Sequence, residues 1–453
     1  MHIKRVRIKN IRGFANVDLD LGRPHGSSSG WTVLAGRNGS GKSTLLRAIA
    51  LSVIGPAAAR SVFEGFSGWI RTGKPEAVVE TFLEPSHGDI LGGARAGIRT
   101  YAFWTGLSWK AVRRSSEPSL SPQVGRNMKS RQNAPARGPW AEAQGWGWFL
   151  AGYGPTRRLT GHASEAMRLM LGPERIARVV SLFREDASLV ESVQWLREIY
   201  LRRLERKADF ARLEANILDL LNDGLLPGDV RVERIDSEGL WIKQGGVTLP
   251  LRELSDGYRT VAALVTDIVR HLYRGFKDLK MQEVIADDEH GEHSARFRIP
   301  LPGVVLIDEV ETHLHVSWQK RIGFWLKQHF PNIQFIVTTH SPFICQAADA
   351  RGLINLPAPG EAGKVAHVSD SLFSTVVNGG ADDAVISELF GLDTPYSYES
   401  EKLREQVAQL ESRIQKEPVT KKDQEKLSFL RARLPQSPSA DVEQALRKLA
   451  ADE

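Results

Sequence analysis

One cysteine, Cys345, is all that the 453 residues contain. A disulfide framework needs pairs and a thiolate zinc site needs several thiols, so both are excluded and a reducing cytoplasm is the expected setting. Long apolar runs are missing too. No stretch approaches the ~20 residues that span a bilayer, so no membrane segment is expected. The amino terminus, MHIKRVRIKN, alternates apolar and basic residues as a strand does and lacks the apolar core of a secretory signal. Charge of one sign is also scarce. Sixty Lys and Arg against 54 Asp and Glu leave a net +6, too small an excess to mark a nucleic-acid binder by itself. No internal repeat is visible. What remains is an ordinary globular composition, 42% hydrophobic and 25% charged, long enough for two or three domains.

The chain changes texture along its length. Residues 1–81 read as two strands around the turn KNIRGF, a Gly/Ser loop, a short buried strand (WTVLAG) and a helix (KSTLLRAIALSVI). Residues 82–228 read as an insertion, a β-rich arm with a basic loop followed by helices. In that loop, residues 110–137, Lys110, Arg113, Arg114, Arg126, Lys129, Arg131 and Arg137 face one acid, Glu117. It reads as a solvated loop, with nucleic-acid contact as the alternative. Trp104, Trp109, Trp140, Trp146 and Trp148 flank it and are expected to pack cores or hairpins, with base stacking the alternative. Arg197, Arg202, Arg203, Arg206 and Lys207 read as the solvated face of a helix. Residues 229–398 return to strands and strongly apolar runs. Residues 399–453 hold two charged helical stretches around a Pro-containing turn, a hairpin too short for a long coiled-coil arm, and then a tail.

Four motifs carry chemistry. GRNGSGKST, residues 36–44, fits a phosphate loop between a strand and a helix. Its glycines turn backbone N–H groups toward a phosphate, Lys42 adds a charge on the β/γ oxygens, and the Ser43 hydroxyl can ligate Mg²⁺. VVLIDEVETHLH, residues 304–315, is a buried strand ending in Asp308, a magnesium partner, and Glu309, which can polarise the attacking water. Glu311 is the second choice for that role. IQFIVTTHSPF, residues 333–343, is another apolar strand followed by His340, a lone histidine that is structural or exposed unless the fold brings it to the γ-phosphate. LSDGYR, residues 254–259, starts a helix capped by Ser255, an anion-binding end although a phosphate site already exists. His313 and His315 lack the further ligands that a zinc site needs.

In this order the motifs resemble ABC-type ATPases of the RecF/SMC/OLD-like group, over residues 2–55 and 229–346. The resemblance implies an α/β P-loop NTPase, an ABC-type head built from residues 1–81 and 229–398. It implies ATP held by Gly36, Arg37, Asn38, Gly39, Ser40, Gly41, Lys42, Ser43 and Thr44, with Arg12 of KNIRGF beside it and Mg²⁺ on Ser43 and Asp308. Lys42, Glu309 and His340 are the implied catalytic residues. Ser255, Asp256 and Gly257 then match the family's signature motif, which meets the ATP of the other protomer, so a homodimer or higher homo-oligomer is implied and the second anion site is explained. The glutamine loop of the family is not evident; Gln144 is the nearest glutamine before GYGPTR. That element, with Arg157, and ADDAVISELFGLDTPYS resemble defence ATPases of the Septu (PtuA-like) type, including those accompanying retrons. The implied function is an Mg²⁺-dependent ATPase acting as the sensor of an antiphage system with a separate nuclease or toxin. A RecF-like repair ATPase acting on DNA and an ATP-dependent binding switch with little turnover are the alternatives. Asp382 and Asp383 lie in a helix-like start, so a Toprim nuclease is not expected.

Overall fold

The computed structural model describes residues 1–24, 28–86, 89, 103–123, 148–157, 164–226, 228–284, 296–361, 363–416 and 420–434. Two compact units divide the chain, Met1–Phe390 and Gly391–Glu453.

The larger unit begins with β1 (His2–Ile11) and β2 (Phe14–Asp20), an antiparallel pair. Next come β3 (Gly30–Ala35), α1 (Lys42–Ile54), β4 (Glu76–Glu84), β5 (Phe103–Lys110), β6 (Ser119–Pro122) and β7 (Leu150–Tyr153). Strands β2-β1-β4-β5-β6 form one antiparallel sheet. In β1 the apolar residues Val6 and Ile8 face inward by simple alternation, while a bulge between Ile3 and Arg5 brings Ile3 to the same face. The helices α2 (Val190–Leu204) and α3 (Ala208–Asn222) precede a three-stranded meander of β8 (Arg231–Asp236), β9 (Gly239–Gln244) and β10 (Val247–Pro250). A long helix, α4 (Asp256–Phe276), leads toward β11 (Gly303–Ile307), α5 (Val316–His329), β12 (Ile333–Thr338), β13 (Leu353–Asn355) and β14 (Ala366–His367).

The second sheet has the order β14-β13-β3-β12-β11-β7, parallel throughout except for β14. Its strands are apolar on both faces because both faces are covered. Helix α1 lies between the sheets, and Leu45, Leu46 and Ile49 join Val6 and Ile8 to Leu34, Leu306 and Ile336 in one core. The other face packs against α4 and α5, with Val265, Ile268, Ile322 and Leu326 beside Val305, Phe335 and Val337. Truncating Leu46 to Ala would cost about 2–5 kcal/mol, since the site is fully enclosed.

Residues 82–228, expected as an insertion, supply strands to both sheets. β5 and β6 extend the antiparallel sheet and β7 closes the edge of the parallel one. The apolar signal of these strands is weak because β5 buries Thr105 and Ser108 along with Leu107 and Trp109, and because β7 is only four residues long. Trp109 packs with Trp69 and Phe66, and Trp148 is buried. Lys110, Arg113 and Arg114 are exposed. Arg126, Lys129, Arg131, Arg137, Trp140, Gln144 and Trp146 lie outside the described residues.

In the smaller unit, α6 (Tyr398–Lys416) and α7 (Lys421–Ala432) form a hairpin around Val407, Leu410 and Leu430. Thr420 caps α7 by accepting the Asp423 N–H, and Arg431 donates Nε to Glu411 at 3.0 Å. Among the described residues no helix is long and apolar enough to cross a membrane.

Candidate nucleotide site

Ligands of open parallel sheets bind beyond the carboxyl ends of the strands, where loops from different strands meet. Here β3, β12, β11 and β7 are adjacent and parallel, so residues 36–41, 339–341, 308–311 and 154–157 leave the sheet at one end.

The loop after β3 has three glycines with positive φ, Gly36, Gly39 and Gly41, and at two of them a side chain would also clash. At Gly36 (φ 149°) a Cβ would lie 2.3 Å from the Leu356 carbonyl, and at Gly41 (φ 92°) 2.6 Å from Phe14 Cζ. Gly41 is the N-cap of α1, whose first turn has no acidic side chain, so its dipole and open N–H groups suit an anion. Arg37, Asn38 and Gly39 are exposed, and Arg37 pairs with Glu361 at 3.3 Å. Ser40 Oγ is buried with no hydrogen-bond partner among the described residues. Lys42 Nζ donates to the carbonyls of Gly36 (2.7 Å) and Arg37 (3.2 Å), spanning the loop. Burial lowers its pKa, opposed by Glu309, Glu311 and Asp308.

Across the sheet, Ser43 Oγ donates to Asp308 Oδ1 at 3.0 Å. Thr338, at the end of β12 between them, donates to the same oxygen at 2.6 Å and accepts the Glu309 N–H at 2.7 Å. A hydroxyl that accepts from Glu309 and donates to Asp308 has its rotor fixed, and both acids are held by it. Two hard oxygen donors in contact, the Ser43 hydroxyl and the buried Asp308 carboxylate, suit Mg²⁺, which takes few protein ligands and completes its shell with phosphate and water.

Glu309 and Glu311 separate clearly. Glu311 accepts Thr339 Oγ1 at 2.8 Å and the His340 N–H at 2.5 Å, one bond on each oxygen. Among the described residues the Glu309 carboxylate has only a long contact from Thr312, 3.5 Å, and its own backbone is left-handed at φ 47°, a conformation that costs a non-glycine residue about 1–2 kcal/mol. Glu311 closes the loop after β12, while Glu309 presents a carboxylate not committed to the fold. The His340 side chain is exposed. Partial desolvation and Lys42 lower its imidazole pKa, opposed by Glu311, Glu309 and Asp308.

Arg12 also has left-handed backbone (φ 44°). Its Nη1 donates to Thr44 Oγ1 at 3.5 Å, and its guanidinium lies 4.9 Å from the centre of the Trp69 ring. Burial, and then Arg47, lower its pKa. Arg157 has no role that sequence reasoning assigned. It is buried, and its guanidinium donates to the carbonyls of Gly154, Asp308, Glu309 and Val310 at 2.9–3.2 Å. Burial lowers its pKa to about 10, against the pull of Glu311, Asp308 and Glu309, so it is a cation at neutral pH.

Ser255 occupies the N-cap of α4 as expected, but its hydroxyl makes no capping bond and is exposed with Asp256. Asp256 pairs with Arg259. Gly257 lies against α5, where a Cβ would meet Trp318 Cζ3 at 2.7 Å and the His313 carbonyl at 3.1 Å. Tyr258 stacks edge-on to Trp318, centroids 4.7 Å apart. Further along α4, Asp267 accepts the Tyr153 hydroxyl at 3.0 Å and pairs with Arg270 at 2.7 Å. Tyr153, in β7, takes the Asp308 N–H on its carbonyl at 2.8 Å. Helix α4 and the acid-bearing strand are thus tied to the same short strand. His315 caps α5 by accepting the Ser317 N–H. No group of three or more His, Cys, Asp or Glu arranged to hold a metal occurs among the described residues.

Two stretches match family models. Residues 162–346 match "AAA domain, putative AbiEii toxin, Type IV TA system", and residues 5–91 match "AAA domain". The chain is 28% identical over 357 residues to "Septu protein PtuA" of Bacillus mycoides (78% of this chain, 39% of that protein). It is 33% identical over 154 residues to "Retron Ec83 probable ATPase" of Escherichia coli (33% of this chain, 25% of that protein). The chain therefore spans well under half the length of these curated relatives. Among solved structures it is similar to an SMC head bound to the C-terminal winged-helix domain of ScpA, with TM-score 0.45, 16% identity, and coverage of 82% of this chain and 98% of that one.

Proposed function

From a P-loop ATPase head of the AAA-domain kind, with distant relatives among Septu PtuA and retron ATPases, we propose that this chain hydrolyses ATP between two copies of the head. The observation that carries this reading is the meeting of Ser43 with Asp308 beside an uncommitted Glu309. The loop N–H groups and Lys42 would bind the β- and γ-phosphates, with Arg12 at the edge beside Thr44. Bound to Ser43 and Asp308, Mg²⁺ would neutralise charge on those phosphates. The Glu309 carboxylate accepts a proton from the attacking water, and His340 sits at the γ-phosphate end. Ser255, Asp256 and Gly257 of the second copy close the site. A fixed, exposed turn at the start of α4 supports that role, because it is presented to solvent by packing behind it against Trp318. Phosphate release from ATP with Mg²⁺, lowered about a hundredfold or more in Glu309→Gln and abolished in Lys42→Met, tests the reading.

The defence role rests on the relatives' names. In it the head is the sensor or regulatory ATPase of an antiphage system, and a separately encoded nuclease or toxin is the effector. Expression with the adjacent reading frame should restrict phage plating, and Glu309→Gln should abolish that restriction. Restriction that persists in Glu309→Gln counts against coupling of ATP turnover to defence.

A further inference from the structure

Three consecutive carbonyls, those of Asp308, Glu309 and Val310, turn toward one guanidinium. Between them the chain kinks at Glu309 into left-handed backbone, φ 47°. The guanidinium belongs to Arg157, in the loop after the strand that flanks β11, and Gly154 of that loop supplies its fourth acceptor. A carbonyl stack of this kind brings like dipole ends together and is stable only against a cation with several diverging donors. Arg offers a planar fork of five N–H groups that stays charged when buried, whereas Lys offers one compact ammonium.

We propose that Arg157 is a positioning residue for hydrolysis, setting the backbone at Glu309 and hence the aim of its carboxylate. The proposal rests on the ATPase reading above. Arg157 touches no part of the phosphate loop among its contacts; its four acceptors are all main-chain groups of the two neighbouring loops. Loss of the fork should therefore act on turnover and leave nucleotide binding alone. The bond from the Glu309 N–H to Thr338 holds the peptide before Glu309, and the bond from Arg157 to the Glu309 carbonyl holds the peptide after it. A carboxylate on a backbone held from one side only is free to swing, and misplacement of a reacting group by ~1 Å costs about a hundredfold in rate.

The test uses the full chain. In Arg157→Lys, kcat should fall about tenfold to a hundredfold, while ATP affinity in the presence of Mg²⁺ stays within about twofold. In a Glu309→Gln background, where no base remains to aim, adding Arg157→Lys should leave the residual rate unchanged. A purely structural arginine would lower that residual rate and the affinity as well. Wild-type turnover in Arg157→Lys, or an equal loss in the Glu309→Gln background, overturns the proposal while the ATPase reading stands. A wild-type chain that binds ATP without hydrolysing it overturns both. If Arg157→Lys melts below the assay temperature, Arg157→Gln is measured in the same way. Failure of both to fold makes the residue a requirement of the fold and overturns the positioning role.

Discussion

Ser43 and Asp308 stand 265 positions apart in the chain and share a 3.0 Å hydrogen bond. One starts the helix after the phosphate loop and the other ends the apolar strand two places away in the sheet, with β12 and its Thr338 between them. In Asp308→Asn the amide keeps the size of the side chain and loses the charge that would hold Mg²⁺. We predict that ATP binding becomes insensitive to Mg²⁺ and that hydrolysis falls at least about a hundredfold. Titration of ATP by calorimetry, with Mg²⁺ and then with EDTA, checks this; undiminished Mg²⁺ dependence places the metal elsewhere.

The two neighbouring glutamates should fail in different ways. Glu309→Gln is expected to keep its melting temperature and ATP affinity while losing about a hundredfold or more in turnover, the usual effect of removing a general base. Glu311→Ala removes the acceptor of both Thr339 and His340, which leaves the buried Thr339 hydroxyl without it and should cost roughly 1–3 kcal/mol of stability. Denaturation and steady-state kinetics on both variants decide the assignment. Full turnover in Glu309→Gln would exchange the roles.

A buried charge cluster sets an acid limit. Burial alone would raise the Glu174 carboxyl, but His271, Arg178 and Arg274 outweigh it and hold its pKa down at about 2, from an ordinary value of 4.5. A carboxyl whose pKa is depressed by folding stabilises the fold fully above about pH 4.5, and that contribution is lost as pH falls toward 2. Glu174→Gln should therefore destabilise at pH 7 by on the order of 2–3 kcal/mol and flatten the acid limb between pH 4.5 and 2. Urea unfolding at several pH values measures it. An unchanged acid limb would show that Glu174 does not govern this range.

The parts legible in the sequence are those encoded over short distances. Gly36, Gly41 and Lys42 sit in one loop whose glycines mark the positive φ angles, and GVVLI announces a strand buried on both faces. What stayed illegible depends on pairings far apart in the chain. Arg157 meets carbonyls about 150 residues away, and only the parallel pairing of β7 with β11 brings them together. Spacing alone made Glu311 the second choice after Glu309, and only the bonds from Thr339 and His340 show what its oxygens do. Thr338 belongs to no motif read from the sequence, although its hydroxyl joins both acids. β5 and β6 were legible only as a β-rich arm, because buried Thr105 and Ser108 carry no apolar signal and Leu107, Trp109 and Leu120 are left as sparse anchors.

The central claim is that ATP joins two heads through the start of α4, and the molar mass of the Glu309→Gln chain tests it most directly. Light scattering behind gel filtration should show a monomer without nucleotide and a mass doubled in ATP and Mg²⁺. Adding Ser255→Arg should return the chain to a monomer that still binds ATP, because a bulky cation would hold the facing copy away from its phosphate. A mass that does not respond to ATP, or a dimer that tolerates Ser255→Arg, would contradict the account.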